Sequence, residues 1–506
     1  MKPTYCDFVK DQVERNPCLS GLANFLSTCP YSPADNRNVH CHDYTLEGSL
    51  ESIDRNMEFE ECLAGIACAI KEPAQTRLRR IVFVEDISPH CVEQLGTLLD
   101  IDPMFFSNYI NTSFSGFDKA PPPPPLSLFP SRLTSKDSLH LHYQRVLRLN
   151  FSTGVLKDLY DFKSSGNVPR SVRCLASLSG TRPGLARSCC SILLKILNRK
   201  SWICLVLMDS TSADLLVPTS STSDTILSHE RIPQVPFQGG FEDFEEPRKF
   251  SEYCLPTNLD NVTQKNSLHQ RILHYYRNPP PNFDPANPSM LALSYYPLKV
   301  VAAEWMAYVL LMNSCIKFYE YSFRQFEHRS IEADITDLQR WRRRGKQSLL
   351  KLQAVELFID KHLALQSTSP HLNNNVSLVN DNNNPYATLQ EDYRYLSTQI
   401  EQYSRSLESI LPLAATIVQL TDARRSISEA VNVRYLTYIA MVFVPLTFVS
   451  SLFSMSNGFV PGQAKFWVYM AVAAPLMVVV LSFALITSIN IRSWWRATRD
   501  RLTSNW

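Results

Sequence analysis

The sequence predicts an α+β membrane protein: a cytosolic α/β domain, then long helices, then two C-terminal transmembrane helices. Three observations carry that reading. Short apolar runs rich in strand formers alternate with helical stretches in the first half, an extended helical pattern follows Pro297, and two charge-free runs lie near the end of the 506-residue chain. Composition sets the class. The chain is 45% hydrophobic and 19% charged, with 50 Lys+Arg against 48 Asp+Glu. That is too apolar for a disordered chain and too neutral for one that coats nucleic acid through bulk charge, so no nucleic-acid partner is expected. Gly is scarce at 14 and Pro common at 32, which suits helices separated by stiff linkers better than Gly-rich nucleotide loops. The N-terminus MKPTYCDFVKDQ lacks an apolar h-region. Most of the 13 Cys are therefore expected as reduced cytosolic thiols rather than a disulfide framework.

Residues 1–79 form an N-terminal region left unassigned. His40-Cys41-His42 near Cys29 has metal-ligand residue types without zinc spacing, so an ordinary polar loop outweighs a structural metal. Residues 80–295 read as a cytosolic α/β domain with loops. Strands are expected over 81–85, 143–151, 171–178 and 202–208, with helices over 91–99 and 185–197. His140 and His142 alternate on a strand and so share a face. The prolines at 121–125 make a stiff segment, more a surface linker than a ligand for a proline-binding module. Residues 296–434 hold the long helices. The first runs over 298–365 and carries Arg340-Trp341-Arg342-Arg343-Arg344-Gly345-Lys346. A solvated face explains these charges individually; as a group they suit anionic headgroups or phosphate. An Asn-rich loop at 366–385 separates it from a second helix, which runs from 386 to 434 and contains Pro412.

Residues 435–491 form a two-span hairpin and 492–506 a basic cytosolic tail. Between 435 and 464 there is no charged residue, and after Lys465 none until Arg492. A helix needs about 20 residues, at about 1.5 Å each, to cross a hydrocarbon core of about 30 Å. The run 466–489 is long enough; the run 436–453 suffices if its helix starts at Val431 or Val433. Arg424, Arg425 and Arg434 precede the first span, and Arg492, Arg496, Arg499 and Arg501 follow the second. The positive-inside tendency places both termini in the cytosol, with the plasma membrane the first choice and an organelle membrane the alternative. Along the first span Ala440, Val444, Thr447, Ser451 and Ser454 recur at intervals of three or four. This stripe of small or weakly polar residues serves helix packing and pore lining equally well. Two helices enclose no aqueous path, so a pore requires an oligomer.

The run Leu436-Thr437, Ile439-Ala440, Phe443, Pro445-Leu446-Thr447-Phe448, ending in Ser454-Met455-Ser456-Asn457, resembles the first transmembrane helix of CorA-type magnesium transporters. It is closest to the divergent CorA-like proteins of fungi, and the resemblance is strongest over 430–489. Arg80-Ile81-Val82-Phe83-Val84-Glu85-Asp86 and the following 95–106 resemble the start of the cytosolic domain in those relatives. The helix entering the first span resembles the CorA stalk. The resemblance implies a homopentamer in the lipid bilayer that handles divalent cations, with Mg²⁺ as the transported or regulatory ion. Its Gly-Met-Asn motif falls on Ser454, Met455 and Ser456, with Asn457 one residue late; these form the expected filter and outer mouth. Thr447, Val444, Ala440, Leu436 and Val433 follow as implied pore-lining rings. Ser456 offers a hydroxyl where the family has a carboxamide, and the loop 457–465 contains no carboxylate, so electrostatic focusing at the mouth is weaker. The expected function is a CorA-like divalent cation channel or transporter with a degenerate filter. The alternative is a non-conducting membrane scaffold or sensor that keeps the fold. No metal ligands are assigned in the cytosolic domain. With no Walker A, Gly-x-Gly-x-x-Gly, Gly-x-Ser-x-Gly or Cys-x-x-Cys sequence, no enzyme is expected.

Overall fold

The computed structural model describes residues 3–27, 38–44, 52–72, 77–111, 129, 137–149, 161–164, 166–175, 178, 182–210, 215–216, 268–322, 331–368, 384–455 and 465–482. It divides into two compact units, residues 1–411 and 412–506.

The first unit opens with α1 (Tyr5–Arg15), whose N-terminus is closed by a reciprocal capping box between Thr4 and Asp7. A 3₁₀ turn leads into α2 (Ser20–Ser27), followed by β1 (Asn38–Tyr44), β2 (Ser52–Glu58) and α3 (Phe59–Lys71). Next come β3 (Arg79–Glu85), α4 (Pro89–Leu99) and α5 (Pro103–Ile110). Proline at the first helical position and a capping side chain set both helix starts. Ser88 Oγ accepts from Cys91 N at 3.2 Å, and Asp102 Oδ1 accepts from Met104 N at 2.9 Å. The remaining strands are β4 (Ser138–Leu149), β5 (Asp161–Ser164), β6 (Ser171–Cys174), β7 (Arg182–Asn198), β8 (Ser201–Met208) and β9 (Leu215–Leu216).

These strands form one sheet in the order β2-β1-β3-β8-β7-β6-β5-β9, with β4 also on β7. β3 and β8 pair in parallel; β7 is antiparallel to β4, β6 and β8. Period-2 alternation sorts the side chains between the faces. On one face Val39, Cys41, Val82, Val84, Ile203, Leu205 and Leu207 join a core with residues of α1 to α5. The other face carries Phe83, whose ring lies 5.2 Å from that of Tyr276, and Trp202, whose Nε1 donates to Pro285 O at 2.8 Å. The mixed α/β expectation therefore holds.

One element reverses. Residues 185–197, expected as a helix, lie within the strand β7. The run Ser191-Ile192-Leu193-Leu194-Lys195-Ile196-Leu197 has no clean period because β7 is paired on both edges and largely buried on both sides, so the alternation that marks a half-exposed strand is lost.

After the sheet come α6 (Leu268–Tyr276), α7 (Met290–Ser322), α8 (Ile331–Thr368) and α9 (Pro385–Phe453). The helix expected over 298–365 is thus two helices, and Pro297 lies inside α7 rather than before it. Proline cannot donate to the carbonyl four residues back, which here is Leu293 O, and the Tyr276 hydroxyl of α6 donates to that oxygen instead. The Tyr393 hydroxyl of α9 likewise donates to Leu298 O at 2.9 Å. The first part of α9 buries Tyr386, Leu389, Tyr393, Leu396, Ile400, Leu407 and Ile410, spacings of three, four and seven that make a single packing seam. Lys299–Asp392 at 2.6 Å and Arg394–Asp360 at 3.6 Å tie that part to α7 and α8.

The second unit takes over within α9 at Pro412. Helix α9 continues without a break to Phe453, and an apolar helix α10 (Phe466–Ser482) follows.

Candidate functional site

The expected pore residues lie on the last part of α9. Val433 is 62% exposed, Leu436 66% and Val444 63%; Ala440 and Thr447 are exposed as well. Ser454 ends the helix, its N–H donating to Ser450 O at 2.9 Å, and Met455 is 89% exposed. Ser456 and Asn457 lie outside the described residues, as do the prolines at 121–125, Cys29, Trp494 and Trp495.

The contact with α10 uses a different face. Met441, Val442, Pro445, Leu446 and Phe453 are half-buried, and Val449 is 4% exposed. Opposite them Ala473 is 4% exposed, and the Phe453 and Tyr469 rings meet at 5.9 Å. At about 100° per residue, the stripe from Val433 to Ser454 centres roughly 180° around the helix from this packing face. Among the described residues, the hairpin thus leaves the small-residue stripe uncovered. Sequence reasoning missed the packing face, although residues 442, 445, 446, 449 and 453 carry the three-and-four spacing that marks it.

The stripe's hydroxyls are tied to their own helix. Thr447 Oγ1 donates to Phe443 O at 2.9 Å, and Ser451 Oγ donates to Thr447 O at 2.8 Å. Such bonds occupy the one hydroxyl proton and leave oxygen lone pairs directed away from the backbone. Pro445 removes the donor that Met441 O would otherwise meet.

The basic run on α8 is divided by the helical period. Trp341 and Arg344 turn inward, with the Arg344 guanidinium 5.1 Å from the Trp341 ring centroid. Arg340 donates to Asp337 at 3.0 Å. Arg342 at 3.5 Å and Lys346 at 3.0 Å both reach Glu408 of α9. Their charges, Lys346 first, hold the Glu408 carboxyl below the usual range. Farther along α8, burial first and the Arg187 guanidinium second push the Lys351 ammonium down to about 8.

The expected ligand motifs separate on the sheet. Cys41 faces α3, its Sγ 3.7 Å from Cys62 Sγ, whereas His40 and His42 face the opposite side toward His269 and Tyr276. His140 and His142 share a face, with rings stacked at 6.4 Å. Glu85 meets His269 at 3.2 Å. Asp86, with φ of 50°, receives Asn167 N at 3.2 Å. Among the described residues, no three His, Cys, Asp or Glu are grouped to hold a metal ion.

Comparison with known proteins places a family on the region that contains α8 to α10. Residues 327–490 match the family model described as CorA-like Mg²⁺ transporter protein. No curated protein matches the chain. Among solved structures, the CorA magnesium transporter from Methanocaldococcus jannaschii aligns at 10% identity with a TM-score of 0.36, covering 88% of this chain and 96% of that one. The full-length CmaX protein aligns at 13% identity and the same TM-score of 0.36, covering 91% of this chain and 100% of its own. The two apolar runs expected as spans, 436–453 and 466–489, fall inside the matched residues. By that match, residues 327–490 are similar to the CorA-like Mg²⁺ transporter family.

Proposed function

We propose that this protein passes Mg²⁺ or another divalent cation through a membrane as a homopentamer, with the stripe on α9 facing the fivefold axis. The observation that carries this reading is the placement of Val433, Leu436, Ala440, Val444 and Thr447 on the face that α10 leaves uncovered. A face left open by the described residues, with Ala440 and Thr447 at its centre, is what neighbouring copies need to approach closely around a narrow path. Both termini lie in the cytosol, as the arginines flanking the hairpin direct, and the plasma membrane is the expected site. Ser454, Met455, Ser456 and Asn457 form the outer mouth.

A second reading has its own support. Mg²⁺ gives up its water reluctantly, so a filter must hold a hydrated ion through oxygen acceptors at a set radius. Ser456 stands where the family carboxamide belongs, and the loop 457–465 contains no carboxylate. A protein that kept the fold as a membrane scaffold or sensor and ceased to conduct would look like this.

Mg²⁺ flux into liposomes, measured for the unaltered chain and Ser456→Asn, separates the two. Flux from the unaltered chain establishes transport through a serine ring. Flux only after the substitution indicates an intact pore whose filter no longer works. A folded oligomer silent in both forms is a scaffold. Native mass spectrometry of the detergent-solubilised protein checks the fivefold assembly.

A further inference from the structure

We propose that Cys41 and Cys62 form a peroxide-sensitive dithiol, a site at which hydrogen peroxide converts two buried thiols into one disulfide. Their Sγ atoms lie 3.7 Å apart, on β1 and α3. A disulfide holds its sulfurs at about 2.05 Å, so the two must approach by roughly 1.7 Å.

The sheet register creates the pair. On β1, Cys41 stands opposite Val82 and Asp43 opposite Arg80 of β3, and alternation sends all four side chains to the face that α3 helps to cover. Cys62 is the fourth residue of α3. Cys41 is 0% exposed and Cys62 1%.

The surroundings give the two thiols different roles. The Arg80 guanidinium donates to both Asp43 oxygens, at 2.6 and 2.8 Å. Its Nη1 lies where a Cβ on Gly65 would meet it at 3.4 Å. Gly65 follows Cys62 by three residues, so the guanidinium rests on the same face of α3. The hydrogen bond with Cys41 first, and then the Arg80 charge, hold the Cys62 thiol below its usual range against the opposing effect of burial. Cys41 moves the other way, raised by its hydrogen bond to Cys62 and by burial. A thiol beside a guanidinium in the first turn of a helix has thiolate character. Cys62 is therefore the attacking sulfur and Cys41 the resolving one.

The Cys62 thiolate attacks one peroxide oxygen: the S–O bond forms, the O–O bond breaks, and the leaving hydroxide takes up the proton that Cys62 released, giving water. Cys41 then attacks the sulfenic sulfur. The S–S bond forms, the S–O bond breaks, and the oxygen leaves as a second water with the Cys41 proton. The two sulfurs lose two electrons and the peroxide gains them. A pair this deeply buried is reached through local opening, which favours a small peroxide over a bulky disulfide.

The test treats the full chain in nanodiscs with hydrogen peroxide, blocks the remaining thiols and maps tryptic peptides without reduction. The unaltered protein is expected to yield a peptide pair joining Cys41 to Cys62, lighter by two hydrogens than the reduced pair and separated again by dithiothreitol. The exposed Cys68 shares a tryptic peptide with Cys62, so Cys68→Ser is run beside it and should link equally well. Cys41→Ser should leave Cys62 as a sulfenic acid that dimedone captures, with roughly tenfold more label than Cys41 takes in Cys62→Ser. If these two variants do not fold, the maps of the unaltered and Cys68→Ser chains decide. Survival of both thiols while Cys68 oxidises overturns the proposal, as does a disulfide from either cysteine to another partner. Equal dimedone labelling in the two variants overturns it too, because the thiols would then have no separate roles.

Discussion

Helix α7 and the later part of α9 are alike in composition and opposite in surroundings. Both are long and apolar enough to cross a membrane. Yet 61% of the most apolar stretch is buried in α7 and 6% in α9. Helix α7 also has polar ties to its partners: tyrosine hydroxyls on Leu293 O and Leu298 O, and the Lys299–Asp392 pair. The hydroxyls of late α9 bond only to their own helix among the described residues. Apolar composition states that a helix needs cover, whereas polar ties reveal that the cover comes from the same chain.

The sharpest way to test this contrast is to disturb the interior that the first unit supplies for itself. Arg170 pairs with Asp209 at 2.6 Å, both side chains under 10% exposed, and lies 4.9 Å from the Tyr109 ring. Arg170→Met strands the Asp209 carboxylate, and chemical denaturation should show a loss of about 3–5 kcal/mol. Next comes a matched pair. Leu311 in α7 is fully buried and Leu436 in α9 is 66% exposed. Leu311→Ala should cost about 2–5 kcal/mol, and Leu436→Ala no more than about 0.5 kcal/mol, in the same detergent melt. Equal losses would break the comparison. Tyr276→Phe orphans the carbonyl that Pro297 leaves without a donor and should cost about 1–3 kcal/mol.

The last expected effect is a dependence on pH. Folding lowers the Lys351 pKa from the ordinary 10.5 to about 8. Between those values the unfolded chain holds more protons on this group, so Lys351 contributes a rise of stability with pH, against the opposite contribution of buried thiols such as Cys189 and Cys190, whose pKa burial raises. The difference in melting temperature between Lys351→Met and the unaltered chain across pH 8 to 10.5 should change with pH by the amount that contribution supplies.

The hairpin was the most legible part of the sequence because a charge-free run has few soluble explanations. The strands at β3 and β8 were legible from β-branched residues between turn signals, and α4 from its proline and Ser88 cap. β7 was not, because a strand paired on both edges keeps apolar residues on both faces and imitates a buried helix. Pro297 misled for a related reason: its cost is offset by Tyr276, a partner 21 residues away that no local rule reveals. The stripe on α9 was legible, but its freedom from α10 was not, since that depends on which face the second helix chooses.

The Thr447 and Ser451 hydroxyls carry one further consequence. Water around a cation points its hydrogens outward, and water around an anion points its oxygens outward. A wall whose hydroxyl protons are already given to the helix backbone can accept from the first kind of shell and has nothing to donate to the second. A passage built from this face would therefore favour a hydrated cation over a hydrated anion before any carboxylate was involved.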